Sequence, residues 1–299
     1  MRPLQRLPTV MVLNDHKIFA LEEKANKLRQ LIIEALVTAK SGHTAGPLGM
    51  ADILTYLYFH ALRHDPKHPT WPDRDRLILS NGHICPVLYG AMCLAGYAPI
   101  KEFTETLRKF GSKFQGHPWR EFLPALETSS GPLGSGLSQT TGMALAHRMD
   151  RGRSAGRFFY CLMSDGEHQE GNTWEAIMFA GKERLGNLIA IVDRNNIQID
   201  GYTEDIMPLE PLFDKWKAFN WHVQTVSGHD FRAIDSAISE AKSVFNQPSV
   251  IIAETIPGKG VKEFERKYEW HGKPPNPEEA KMALHELRTL GGKIKGEHE

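Results

Sequence analysis

The chain has 299 residues, 41% of them hydrophobic and 24% charged, and its 36 basic and 36 acidic residues cancel to zero formal charge. That balance points to an ordinary globular protein and gives no electrostatic footprint for a nucleic-acid or membrane partner. Apolar runs such as VIIA and NLIAIV are too short to span a bilayer, and no long apolar stretch stands near the N-terminus to make a signal peptide.

Residues 1–15 read as an N-terminal extension and 16–299 as one domain. Residues 16–40 carry Leu28, Leu31, Ile32, Ala35 and Leu36 on one helical face. SGHTAGPLGM then breaks that helix with glycines and a proline, and a second helix is predicted over 51–62. DRLILSNGH reads as a short buried strand ending in a loop, followed by an apolar helix through VLYGAMCLAG. Residues 111–133 are rich in Gly, Pro and His and lack a regular pattern, and GSGLSQTTGMALAHRM reads as a helix opened by small residues. From there strands and helices alternate: strand 157–163, helix 171–184, strand 187–192, helix 209–218, strand 222–227, helix 230–245, strand 249–255 and a last helix over 277–290. The tail GGKIKGEHE is expected to fray. Cys85, Cys93 and Cys161 show neither metal spacing nor a disulfide framework, which suits a reducing, cytoplasmic compartment.

The alternation predicts an α/β fold, a doubly wound parallel sheet with helices on both faces. Ligands of such sheets bind outside the carboxyl ends of the strands. Two strands here end in polar residues, FFYCLMSDG at Asp165 and IAIVDRNN at Asn195. Neighbouring strands lie about 5 Å apart, so one carboxylate oxygen and one amide oxygen could reach the same ion. A hard cation such as Mg²⁺ takes few ligands from protein and the rest from phosphate and water. Gly166 lets backbone N–H groups approach an anion, and a helix beginning near Gly171 faces the same mouth. Each piece alone is also common turn chemistry. Their joint occurrence on consecutive strands favours a Mg²⁺-bridged diphosphate.

The stretch SDGEHQEGNTWEA followed by RLGNLIAIVDRNNIQIDG resembles the thiamine-diphosphate motif of transketolases, with Ser164 where that family usually has Gly. Four further stretches resemble the same family: KSGHTAGPLGMADIL with His43, LILSNGHICPVLYG with His83, FQGHPWREFLPALETSSGPLGSGLS with His117, and YEWHGKPP with His271. The resemblance therefore covers about residues 20 to 275, and implies a thiamine-diphosphate-binding fold of the diphosphate (PP) type. It implies Mg²⁺, or Ca²⁺ or Mn²⁺ in its place, held by Asp165, Asn195 and the main-chain oxygen of Ile197, with the Gly166 N–H near the diphosphate. Gly131, Pro132 and Leu133 would line the thiamine through main-chain contacts. Glu170 would lie at a dimer interface within a carboxylate network. His43 and His117 would face substrate hydroxyls, His83 the diphosphate and the reacting carbon, and His271 both diphosphate and substrate. Taken singly, each histidine reads as a surface residue; what they share is a Gly-rich loop, where catalytic groups tend to be carried, and a side chain able to give or take a proton near neutral pH. Two positions depart from the family pattern: Thr44 stands where Pro is common, and Glu254 where Lys is common, with Lys259 nearby.

The activity implied is transfer of a two-carbon ketol unit between sugar phosphates, as in pentose phosphate metabolism. In full-length members a pyrimidine domain supplies the acid that activates the coenzyme, and a C-terminal domain follows it. After the last predicted helix no sequence remains for a second α/β domain of ordinary size. The expectation is thus the N-terminal subunit of a split transketolase, paired with a chain carrying the pyrimidine and C-terminal domains in a two-fold symmetric heterotetramer. The alternatives are a subunit resembling the alpha chain of 2-oxo acid dehydrogenases, a relative of deoxyxylulose-phosphate synthase, and a non-catalytic diphosphate-binding module. SGHTAGPLGM and SNGH resemble transketolases more closely than the first, and the histidine set has no use in the last.

Overall fold

The computed structural model describes residues 13–152 and 156–290, so most of the N-terminal extension and the tail 291–299 lie outside the described residues. Five parallel strands make the central sheet: β1 (Arg76–Leu79), β2 (Phe159–Ser164), β3 (Leu188–Arg194), β6 (His222–Ser227) and β7 (Ser249–Glu254), in the order β1-β2-β3-β7-β6. Two short strands, β4 (Ile197–Gln198) and β5 (Gly201–Tyr202), pair antiparallel beyond the exit of β3.

Every residue of β2 and β3 is buried, as expected for central parallel strands covered on both faces. Their side chains alternate between two cores. Tyr160, Leu162, Ile189 and Ile191 join the larger one. It is completed by helices α1 (Asp15–Ala39), α3 (Ala51–Tyr56), α4 (Cys85–Leu94), α10 (Phe231–Ser243) and α11 (Pro277–Leu290). Cys161, Met163, Ala190 and Val192 face the other core, under α6 (Ser135–Arg151), α7 (Gly171–Glu183) and α9 (Leu212–Ala218). The face of α1 expected to be apolar is fully buried, and Asn14 caps the helix by accepting the Lys17 N–H at 2.9 Å.

Four local differences have physical causes. SGHTAGPLGM does not simply break the chain: α2 (Ala45–Gly49) forms within it, with Pro47 in its first turn, where a missing N–H costs nothing. The helix expected over 51–62 is α3 followed by a π turn over Leu57–Ala61. Helix α5 (Ile100–Thr106) buries only Phe103, too little periodicity to be read. A one-turn helix α8 (Thr203–Ile206) precedes α9. The three cysteines are free and buried, and none of the described helices is long and apolar enough to cross a membrane.

Candidate active site at the strand exits

Parallel pairing sets the site. Ser164 on β2 stands opposite Asp193 on β3, so Asp165 and Asn195 leave the sheet side by side. Asp165 is wholly buried. Its Oδ1 accepts the Gly166 N–H at 2.7 Å, and its Oδ2 accepts the Asn196 N–H at 2.8 Å and Arg194 Nη1 at 3.1 Å. Burial pushes the Asp165 carboxyl up to about 6 even with Arg194 beside it. The amide of Asn195 donates to Asp193 Oδ2 at 2.9 Å and its Oδ1 accepts the Ile197 N–H at 3.0 Å, which fixes the direction of the amide oxygen. Asp193 also accepts the Thr255 hydroxyl, and burial together with the Asp165 charge pushes its carboxyl up to about 7.

The donors expected for a cation are thus oxygens from a carboxylate, an amide and, at Ile197, the main chain. One guanidinium, Arg194, is shared among Asp165, Glu204 at 2.6 Å and Glu210 at 2.9 Å, and Asp193 adds a further buried carboxyl. Oxygen ligands in excess of local positive charge fit a hard divalent ion. The Gly166 N–H is directed to Asp165 rather than outward, and the space beside Gly166 is open, with no atom within 4 Å of where a Cβ would stand.

The histidine loops converge. Ring centroids lie 4.8 Å apart for His43 and His83, 5.6 Å for His43 and His271, and 5.2 Å for His83 and His271. His43 precedes α2, His83 sits in a tight turn after β1, and His271 follows the short helical turn Tyr268–Trp270 beyond β7. His117 lies at the edge of this group, against Gly131. Burial, with repulsion from the neighbouring imidazoles and Arg108, lowers His43 to about 4; burial lowers His271 to about 4, and His83 falls well below its ordinary value. Burial and Arg108 also lower His117. The group is therefore neutral at pH 7. His43 Nδ1, His271 Nδ1 and both amide atoms of Asn81 are buried with no hydrogen-bond partner among the described residues. Buried polar atoms left open in this way mark where polar atoms of a ligand would bond.

Of the remaining expected residues, Gly131 lies against His117. Leu133 is 38% exposed, and its carbonyl accepts from Asn172 Nδ2 at 3.3 Å. Gly134, at φ +79°, leaves no room for a Cβ, which would stand 2.1 Å from Asn172 Oδ1. Glu170 is exposed at the start of α7, and Glu254 is exposed at the exit of β7, with Lys259 half-buried in the following loop.

Arg194 and His168 carry geometry that the sequence did not signal. His168 Nδ1 lies 2.9 Å from the Asp165 carbonyl, while its Nε2 lies 3.0 Å from Trp216 Nε1. An indole nitrogen only donates, so Nε2 is unprotonated and Nδ1–H bonds the carbonyl. His168 is thereby a neutral prop under Asp165, and burial lowers its pKa to about 4.

Residues 21–290 match the family described as transketolase, thiamine diphosphate binding domain. A 6-deoxy-6-sulfo-D-fructose transketolase subunit from Clostridium sp. (strain MSTE9) is 44% identical over 91% of this chain and 97% of its own length. An apulose-4-phosphate transketolase subunit from Phocaeicola vulgatus is 37% identical over 94% of this chain and 99% of its own. Transketolase 2 of Escherichia coli is 40% identical over 89% of this chain but only 41% of its own length. Among solved structures, transketolase from Campylobacter jejuni superposes with a TM-score of 0.82 at 34% identity, covering 95% of this chain and 48% of that one. The chain belongs to the transketolase family, and residues 21–290 form its thiamine diphosphate binding domain.

Proposed function

We propose that this chain is the coenzyme-binding subunit of a split transketolase, acting with a second chain that carries the pyrimidine and C-terminal domains. The observation that carries this reading is one of length. Two relatives named as transketolase subunits are covered over 97% and 99% of their own length, and full-length transketolase 2 over 41%. The assembly proposed is a heterotetramer, two copies of each chain, with Glu170 at the interface. Ketol transfer between sugar phosphates in a cytoplasmic pentose phosphate route is the proposed setting.

Asp165, Asn195 and the Ile197 carbonyl would hold Mg²⁺, with Ca²⁺ or Mn²⁺ as substitutes. Gly131, Pro132 and Leu133 would meet the thiamine through their main chain, and Gly166, His83 and His271 would stand at the diphosphate. Thiamine diphosphate, when bound, supplies carbanion stabilisation that no side chain offers. His43 and His117 would bond the sugar hydroxyls. A neutral imidazole accepts a proton on one nitrogen while donating from the other, and His43 Nδ1 is open for such a bond.

The test is ketol transfer from xylulose 5-phosphate to ribose 5-phosphate, with thiamine diphosphate and Mg²⁺, with and without the partner chain. Activity only with the partner is expected; activity of this chain alone would overturn the split-enzyme reading. Because the 44% identical relative is named for a sulfonated ketose, 6-deoxy-6-sulfo-D-fructose is the second donor to assay.

A further inference from the structure

Glu167 is wholly buried, and no cation pairs with it among the described residues. Its Oε1 accepts from the Ser80 hydroxyl and from the Gly134 N–H at 2.7 Å, and its Oε2 accepts the Ser164 N–H at 2.8 Å. Ser80 Oγ in turn accepts the Gly136 N–H at 3.1 Å, so its single proton goes to Glu167. Helix α6 has no side-chain cap of its own; two N–H groups at its start end on Glu167, directly from Gly134 and through Ser80 from Gly136, while the Ser135 N–H bonds the Pro132 carbonyl. The fit is close: a Cβ at Gly136 would stand 2.4 Å from Ser80 Cβ.

Each partner adjoins one loop of the site. Ser80 leads into Asn81-Gly82-His83, Gly134 closes the Gly131-Pro132-Leu133 turn, and Ser164 precedes Asp165. We propose that Glu167 is a positioning residue for the transfer reaction, setting these three loops against one another so that histidine, thiamine-lining turn and metal-binding carboxylate are presented together. Every partner donates, so only a carboxylate accepts from all of them. An amide of the same size would turn an NH₂ group on to an N–H or O–H donor and leave it unsatisfied. Supports of this kind orient the groups that touch the ligand. The inference rests on the functional reading above, in which those loops hold the coenzyme.

The test compares wild type with Glu167→Gln in the reconstituted two-chain enzyme, well below the melting temperature. The expected result is a rise of roughly tenfold or more in the Kd for thiamine diphosphate, the size of one lost anchor, with kcat lowered even at saturating coenzyme. A lower Tm with unchanged Kd and kcat would overturn the inference, because a purely structural carboxylate moves stability alone. Should Glu167→Gln fail to fold, Ser80→Ala removes the hydroxyl that links Glu167 to the His83 loop and to the Gly136 N–H, while the Gly134 and Ser164 bonds to Glu167 stay in place. It is expected to raise Kd in the same direction, and an unchanged Kd overturns the inference. Amide hydrogen exchange in the coenzyme-free chain separates this idea from the functional reading. Faster exchange at Gly134, Gly136 and Ser164 in the variant, with Val250 unchanged, supports the anchoring role even if the wild type binds no coenzyme. Equal exchange at all four sites overturns it.

Discussion

The hydroxyl of Thr44 donates to the carbonyl oxygen of Lys273 at 2.5 Å, tying the loop that carries His43 to the loop that carries His271. Thr44 is wholly buried, and the proline that the family resemblance leads one to expect there has no hydroxyl to make this bond. Thr44→Val keeps the shape and removes the donor, leaving the Lys273 carbonyl without this partner. The expected cost is about 0.5–1.5 kcal/mol of stability, measured by urea unfolding. In the two-chain enzyme the KM for the aldose acceptor should rise as well. An unchanged unfolding midpoint would mean that the loop contact contributes nothing.

Asp165 is the one carboxylate in the expected metal set. Asp165→Ala should abolish Mg²⁺-dependent binding of thiamine diphosphate, because the diphosphate then lacks its bridging charge. The chain should still fold, since Arg194 keeps Glu204 and Glu210 as partners. Titration calorimetry giving wild-type affinity for this variant would refute the metal assignment.

His117 lies at the exposed edge of the histidine group, against Gly131 rather than among the three clustered rings. His117→Ala should leave coenzyme affinity within about twofold of wild type and lower kcat/KM by about 10² or more, the usual loss when a proton-handling group is removed. Full activity of the variant would remove His117 from the reaction and restore the plain binding-module alternative.

The parts of the molecule legible in the sequence are those whose cause is local. The α1 face repeats at helical spacing, and β2 and β3 are apolar runs that stop at polar residues, so the strand exits and the pair Asp165 and Asn195 could be read together. Parallel register then did the rest, since Ser164 opposite Asp193 fixes where both side chains emerge. The supports were hidden because their partners are remote in sequence. Glu167 meets Ser80 across 87 positions, and His168 meets Trp216 across 48. Arg194 carries no signal of its own within IAIVDRNN, because its three carboxylate partners, Asp165, Glu204 and Glu210, meet it only in the fold. The convergence of His43, His83 and His271 had no signature in spacing and came only through family resemblance. Helix α2 was obscured by the proline and glycines that line its close contacts, among them Gly46, where a Cβ would stand 2.8 Å from Ile84.

The crowded imidazoles give the coenzyme-free chain a pH dependence whose sign can be worked out. His43 and His271 are lowered from 6.5 to about 4 in the folded state, by burial first and, for His43, by its charged neighbours. Between those values the unfolded chain binds more protons than the folded one, so their contribution to stability falls as pH drops from 6.5 towards 4 and is constant above that window. Asp165 and Asp193, raised by burial, act in the opposite sense, losing stability as pH rises through about 6 and 7. The histidine part is therefore isolated as a difference. His271→Asn removes one imidazole and relieves the repulsion on His43, so the stability of the wild type relative to the variant should decline as the medium is acidified from pH 7 to pH 5. Parallel urea-unfolding series at several pH values read this directly, and imidazole NMR titration should show His43 moving up towards 6.5 in the variant. A flat difference between the two proteins, with His43 unmoved, would mean that the rings do not feel one another as their packing requires.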